Sequence, residues 1–301
     1  MNKTIDCVIV TYNRLSLLKE CVQAVLDQDY PVKKIYIINN NSTDNTREHL
    51  KFLQKKYINI IPVNLNKNVG GAGGFNIGLK YFLNKSESEY VWIMDDDTIP
   101  SRTALKNMVN KIQFPSNLGF LCSNVRWKDM TPAKMNIPEV TGDWNRLASK
   151  GLVKVKSASF VSILFPRSVV KKVGYPITDF FIWGDDIEYT LRITKGGFNG
   201  YLSNDSIVEH KIKNNIGTNI ISEKEPTRIK RYYFANRNII YTQRKLESKK
   251  ELTKALINKA IFEPIKIIKY AKKDKIYRLR TSIRGTFKGL VFHPNVEKYK
   301  K

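Results

Sequence analysis

Tyr90-Val91-Trp92-Ile93-Met94-Asp95-Asp96-Asp97 is an apolar run that ends in three carboxylates. Its apolar part, bounded by polar residues, predicts a buried strand. Asp95, Asp96 and Asp97 stand at the strand's end and repel one another, and no Lys or Arg lies within four residues on either side. A divalent cation relieves such repulsion, and an all-oxygen set suits a hard ion such as Mg²⁺ or Mn²⁺. A solvated acidic turn is the other reading of three Asp taken alone.

Upstream, Asp6-Cys7-Val8-Ile9-Val10 and Lys34-Ile35-Tyr36-Ile37-Ile38 predict two further buried strands. The first ends in Thr11-Tyr12-Asn13-Arg14 and the second in Asn39-Asn40-Asn41-Ser42. Leu15, Leu18, Cys21, Val22, Val25 and Leu26 recur between them at helical spacing. Ser42-Thr43-Asp44 caps a second helix that runs to about Tyr57, and Ile58 to Val63 is a third strand. Strand and helix alternate at short intervals, so the expected fold is α/β, a mostly parallel sheet with helices on both faces. Ligands of such sheets gather at the carboxyl ends of the strands. Thr11, Asn39 to Asn41 and Asp95 to Asp97 all fall there.

Asn68-Val69-Gly70-Gly71-Ala72-Gly73-Gly74-Phe75 follows the third strand. Its glycines allow close approach of backbone to a ligand, and the next helix N-terminus can hold an anion. No Gly-Lys-Ser or Gly-Lys-Thr follows, and the position after a third strand is wrong for a dinucleotide fingerprint. A tight turn is the alternative. Residues 98 to 121 read as a helix and a short strand. From Cys122 to Lys156 periodicity disappears, which marks a lid or a binding loop. Trp127 and Trp144 there are either local packing or an aromatic platform for an acceptor. Ser157 to Phe165 reads as a strand crossing the site. Trp183-Gly184-Asp185-Asp186-Ile187-Glu188 then opens a helix with three acids in its first turn, a pattern that also simply complements a helix dipole. His210, one of three histidines, ends a short apolar run and read alone could be an ordinary neutral residue.

The 301 residues suffice for a large domain plus an extension, and 42% apolar content supports a packed core. Cys7, Cys21 and Cys122 are odd in number and lack metal-ligand spacing, so buried thiols in a reducing compartment are expected. The opening six residues lack the apolar stretch of a signal peptide, and no run is long enough for a spanning helix. The net charge of +25 sits mainly in the tail: residues 228–301 hold 22 Lys and Arg against five Asp and Glu, a net of +17. That tail suggests an anionic surface, lipid or nucleic acid. Its apolar residues recur at helical spacing between the cations, which fits packing on the domain, membrane-surface binding, or both.

Val10-Thr11-Tyr12-Asn13-Arg14, Asn40 to Asp44, Asn68 to Phe75, Met94 to Thr98, Trp183 to Arg192 and His210 occur in the order of a known family. Over residues 5 to about 240 the chain resembles the inverting family 2 glycosyltransferases of the GT-A fold. Within that group it is most similar to the bacterial galactofuranosyltransferases and rhamnosyltransferases. The resemblance implies a catalytic domain over residues 1–227 and a basic helical region over 228–301. It implies transfer of a sugar, galactofuranose from UDP-galactofuranose or rhamnose from dTDP-rhamnose, to a glycan or lipid-linked acceptor. Thr11, Arg14 and Asn40 would hold base and ribose, with Asn68 and Asp96 beside them in the donor site. Gly71 and Gly74 would bring backbone amides to the diphosphate or sugar. Asp95, Asp97 and His210 would carry Mn²⁺ or Mg²⁺, Trp183 would wall the sugar pocket, Asp185 would position the acceptor, and Asp186 would be the base. Asn39 departs from the Asp this family often has near the base, which leaves uridine and thymidine both open. A cytoplasmic enzyme, peripheral on an anionic inner leaflet, is the resulting expectation, with oligomerisation open.

Two other classes compete. A nucleotidyltransferase also uses paired Asp and metal on an α/β sheet, but releases pyrophosphate rather than a nucleoside diphosphate. A basic nucleic-acid binder accounts for the charge. No nucleic-acid motif is present, and such a surface gives no reason for the two acidic clusters. Nucleic acid is therefore not an expected partner.

Overall fold

The computed structural model describes residues 3–300. Met1 and Asn2, read above as a start without an apolar leader, and Lys301, counted in the tail, lie outside them. The strands are β1 (Ile5–Thr11), β2 (Lys34–Asn39), β3 (Ile60–Asn64), β4 (Tyr90–Asp95), β5 (Thr98–Pro100), β6 (Leu118–Arg126), β7 (Glu139–Val140), β8 (Leu152–Ser157), β9 (Ile163–Pro166) and β10 (Asn199–His210). The helices are α1 (Leu15–Leu26), α2 (Thr46–Lys56), α3 (Gly70–Lys85), α4 (Ala104–Val109), α5 (Arg167–Val173), α6 (Asp185–Lys195), α7 (Pro226–Ile229), α8 (Arg231–Leu246), α9 (Lys249–Ile257), α10 (Glu263–Tyr270) and α11 (Lys275–Leu290).

All strands join one sheet in the order β3-β2-β1-β4-β9-β6-β10-β8-β7, with β5 on the end of β10. The half from β3 to β4 is parallel, and β9, β8 and β5 run antiparallel to their neighbours. The register sets Val10 beside Asp95 and Thr11 beside Asn39, so the polar strand ends form one edge. Chain order reverses at β1, between β2 and β4, which opens a crevice at that edge.

Alternation along β1 divides the core. Val8 and Val10 face α3 with Phe75, Leu79 and Phe82, while Cys7 and Ile9 face α1 with Leu18, Cys21 and Val22. The three cysteines are buried and free. The glycine-rich stretch is not a loop. It forms the first turns of α3, where a Cβ on Gly74 would stand 2.5 Å from Val10 Cγ1 and one on Gly78 would overlap Val8. Close packing of α3 on β1 thus outweighs glycine's poor helix propensity. The stretch from Cys122 to Lys156 carries the end of β6, all of β7 and most of β8, and the strand expected over 157–165 is confined to β9.

The region after residue 227 packs on the part before it. Tyr241 of α8 and Phe292 pack with Ala72, Ile177 and Phe180. Glu297 accepts from Lys80 and Asn76 of α3, and its carbonyl accepts from Tyr175 N. α11 lies on α8 so closely that a Cβ on Gly285 or Gly289 would meet the α8 backbone. Among the described residues no helix is long and apolar enough to cross a membrane.

Candidate active site

A cleft of about 650 Å³ opens at the switch point, with Arg14, Asp95, Asp97 and His210 on one side and Trp183, Asp185 and Asp186 on the other. The repulsion between the three Asp is relieved from a distance. Arg14 Nη1 donates to Asp97 Oδ2 at 2.6 Å and to Asp96 Oδ1 at 3.3 Å. Burial works against ionisation at Asp97, but His210 and Arg14 outweigh it and hold the carboxyl below its usual range. Burial pushes Asp96 up to about 6 despite Arg14, and lifts Asp95 well above its usual value with help from Asp97 and Asp96.

Several expected donor-site residues do not line the cleft. Asp96, expected at the substrate, is 3% exposed and accepts from Thr11 Oγ1 at 2.7 Å and Tyr12 N at 3.3 Å. Thr11 and Asp96 thereby fix the strand ends rather than reach outward. Asn40 donates to Gly70 O and accepts from Val69 N, and Asn68 Oδ1 accepts from Gly70 N. Both asparagines hold the start of α3, which presents Gly71 to the cleft. Gly74, expected at the diphosphate, faces Val10. Trp127 and Trp144 also lie outside the cleft, Trp127 donating Nε1 to Ile212 O. The segment before β7 contributes Met135, Asn136 and Ile137 instead.

The fit of a divalent ion is tested at Asp97 and His210. His210 Nδ1 stands 2.8 Å from Asn136 Oδ1, which only accepts, so Nδ1 carries the proton. Nε2 then faces Asp97 Oδ1 at 3.2 Å, and that buried oxygen has no hydrogen-bond partner. A second proton on His210 would bridge the two as an ion pair, and without that proton the two lone pairs face each other as ligands for a cation. The separation is close to the ~3 Å edge of an octahedron whose ligands stand about 2.1 Å from the ion. Asp95 shares the cleft without joining the pair: among the described residues no three of His, Cys, Asp and Glu stand together as a metal-holding group. An ion here would take its remaining ligands from water or a bound phosphate, the usual habit of Mg²⁺.

Of the three acids opening α6, Asp185 and Asp186 line the cleft, whereas Glu188 is 1% exposed and paired with Arg192 at 2.8 Å. Arg192 donates onward to Val173 O and Tyr175 O, so Glu188 is a structural ion pair. Burial raises both cleft carboxyls, Asp185 well above the usual range with Asp186 adding to it, and Asp186 to about 6 against the pull of the Ile187 N–H. A carboxyl near 6 is suited to exchanging a proton near neutral pH.

The loop that delivers them is strained. Phe181, Trp183 and Gly184 have φ of 63°, 62° and 88°, and two of these are bulky aromatics. Asn238 of α8, fully buried, donates Nδ2 to Trp183 O at 2.7 Å, Phe180 O at 3.1 Å and Ile182 O at 3.3 Å. Arg237 donates to Asp179 O at 2.6 Å. Sequence reasoning missed this clamp. Its signal was three polar residues, Asn236-Arg237-Asn238, in the middle of a helix that begins with aromatics.

The profile of glycosyl transferase family 2 matches residues 6–174, more than half of the chain. The galactofuranosyltransferase GlfT1 of Mycolicibacterium smegmatis is 26% identical over 206 residues, 65% of this chain and 67% of that protein. A poly-β-1,6-N-acetyl-D-glucosamine synthase of Staphylococcus epidermidis is 31% identical over 195 residues, 63% of this chain. The match spans 46% of that synthase, less than half its length. In fold, the chain is similar to the mannosyltransferase PcManGT of Pyrobaculum calidifontis, solved with GDP-Man and Mn²⁺. The TM-score is 0.60 at 17% identity, covering 95% of this chain and 74% of that one. Residues 1–349 of S. aureus TarS, solved with UDP, give a TM-score of 0.60 at 18% identity, covering 94% and 80%. The sheet is thus that of the GT-A glycosyltransferases, and by the extent of the profile match the chain belongs to glycosyl transferase family 2.

Proposed function

We propose that this chain transfers a glycosyl group from a nucleoside-diphosphate sugar to an acceptor hydroxyl, with inversion. The observation that carries the reading is the pairing, across one cleft, of a carboxyl near 6 (Asp186) with a cation-binding wall of Asp97, His210 and Arg14. Asp186 takes the acceptor proton, and Asp185 positions that hydroxyl. Asp97 and His210 would hold a divalent ion, which would supply charge neutralisation for the leaving diphosphate, and Asp95 faces the same cleft. Arg14 adds a fixed positive charge. Gly71 leaves room for the diphosphate, Trp183 walls the sugar, and Thr11, Asn40, Asn68 and Asp96 hold the surrounding backbone in shape.

The favoured donor is UDP-galactofuranose, supported by the Asn-x-Gly-Gly-x-Gly-Gly-Phe and Asp-Asp-Asp pieces and by the similarity to GlfT1. dTDP-rhamnose is the second choice. The acceptor is a glycan or a lipid-linked glycan, and the enzyme works in the cytoplasm at an anionic membrane surface. The test is a panel of nucleotide sugars with Mn²⁺, read as nucleoside diphosphate release. Pyrophosphate release in its place would make the chain a nucleotidyltransferase, and turnover undiminished by EDTA would remove the metal.

A further inference from the structure

α11 is inside out. Its buried side carries Arg278, Thr281, Ser282 and Thr286 with two glycines, while Ile276, Ile283 and Phe287 point to solvent. Its neighbour exposes apolar side chains too: along α9, a π-helical turn at Asn258–Phe262 and α10, Ile257, Ile261, Ile265 and Ile268 are exposed, while Pro264 and Ile267 are buried. Among the described residues, eleven of the twenty exposed large apolar side chains fall between Ile257 and Val291. Soluble surfaces scatter such residues singly, and their concentration marks a surface that is covered in use.

The charge around the patch names its cover. Between Ile257 and Val291 there are ten Lys and Arg against two acids, and one of the acids, Glu263, is turned inward to Asn236, Ser282 and Lys259. A second copy of so basic a face is repelled by the first. Nucleic acid gains nothing from a row of isoleucines. Apolar side chains flanked by long cationic ones match the boundary between headgroups and acyl chains of an anionic bilayer. We propose that α9 to α11 form the membrane-docking face, with Ile257, Ile261, Ile265 and Ile268 entering the acyl boundary and Lys266, Lys269, Lys272 and Lys273 contacting anionic headgroups. This deepens the membrane partner of the proposed function. It is measured without donor or acceptor, so failure of the transferase reading leaves it untouched.

The experiment is flotation of the full chain with vesicles of 30% phosphatidylglycerol in phosphatidylcholine, and with phosphatidylcholine alone. Wild type is expected to float only with the anionic vesicles. Ile265→Glu/Ile268→Glu, both exposed and checked for an unchanged melting temperature, is expected to lose at least tenfold in vesicle affinity. Lys269→Glu/Lys273→Glu is expected to lose a similar factor at low salt. Absence of wild-type flotation would overturn the proposal, as would isoleucine variants that float like wild type. So would a dimer of the free protein that the isoleucine variant abolishes, or tighter binding of wild type to duplex RNA than to the vesicles.

Discussion

Asn238→Ala is the perturbation that separates shape from chemistry in this cleft, because the Asn238 amide nitrogen reaches only backbone carbonyls and its oxygen accepts only from Arg237 Nε. Its amide has two hydrogens for three carbonyls of the 180–183 loop. Two net hydrogen bonds are worth ~1 kcal/mol each. They hold Phe181 and Trp183 in left-handed conformations that cost about 1–3 kcal/mol apiece. Without the clamp the loop relaxes, and the strain it releases offsets part of the ~2 kcal/mol held in the two bonds, so the expected net stability loss is about 1 kcal/mol or less. Asp186, two residues beyond the last strained aromatic and its glycine, moves with it, and a ~1 Å misplacement costs on the order of 10²-fold in rate. Donor KM is expected to stay within about threefold, since Arg14, Asp97 and His210 lie on the opposite wall. Asn238→Asp keeps the shape but turns an oxygen toward the three carbonyls, and is expected to be at least as slow as the alanine. Steady-state kcat and KM for both substrates, with melting curves of each variant, decide the matter. A wild-type kcat in Asn238→Asp, or a kcat loss that merely follows the unfolded fraction, would refute the clamp.

Asp186→Asn should lower kcat by roughly 10²–10⁴-fold with little change in donor affinity. In wild type, kcat should climb with pH to a plateau with a midpoint near 6, the value to which burial raises Asp186. A carboxyl raised from 3.8 to about 6 costs folding stability as pH rises between those values, and none below both. The full shift is worth about 3 kcal/mol, cut to about 1–2 because Asp186 is only half-buried. Asp186→Asn should therefore melt higher than wild type at pH 7 and not at pH 3.5. Asp97→Ala should abolish, and His210→Ala weaken by about tenfold, the binding of Mn²⁺ with nucleotide followed by calorimetry. Equal titrations in all three proteins would end the metal assignment. Gly74→Val, which places a side chain against Val10, should cost at least ~1–3 kcal/mol in denaturant unfolding. Truncation after Lys250 strips α11 from α8 and should give a protein that aggregates. A well-folded truncation would make the tail a separable module.

The alternation of strand and helix, and the placing of Thr11, Asn39 and Asp95 on one sheet edge, follow from period and order along the chain, so they were legible. The relief of Asp96 and Asp97 was not, because Arg14 reaches them across more than 80 residues of sequence. Gly70 to Gly74 misled for a physical reason. Intrinsic propensity speaks against a helix there, and what wants glycine comes from elsewhere in the fold: Val10 of β1 against Gly74 and the Phe181 backbone against Gly70. Glu188 and Asp186 look alike in sequence, and what separates them is Arg192, one turn along the same helix. The clamp of Asn238 joins segments 55 residues apart through backbone carbonyls, so the polar trio in α8 does not tell which loop it holds.

That clamp also sets the order in which the enzyme can become active as it is made. β1 to β4, with the Asp cluster, emerge early and can pair among themselves. The loop at 181–184 cannot hold its strained form until α8 has followed it, and Tyr175 waits for Glu297, more than a hundred residues further on. At ~5–20 residues per second, the stretch from Trp183 to Glu297 takes about 6–20 s to synthesise. Through that interval the nascent chain has the polar strand ends but not the clamped loop, and α3 gains its contacts with Glu297 only after that residue has been made.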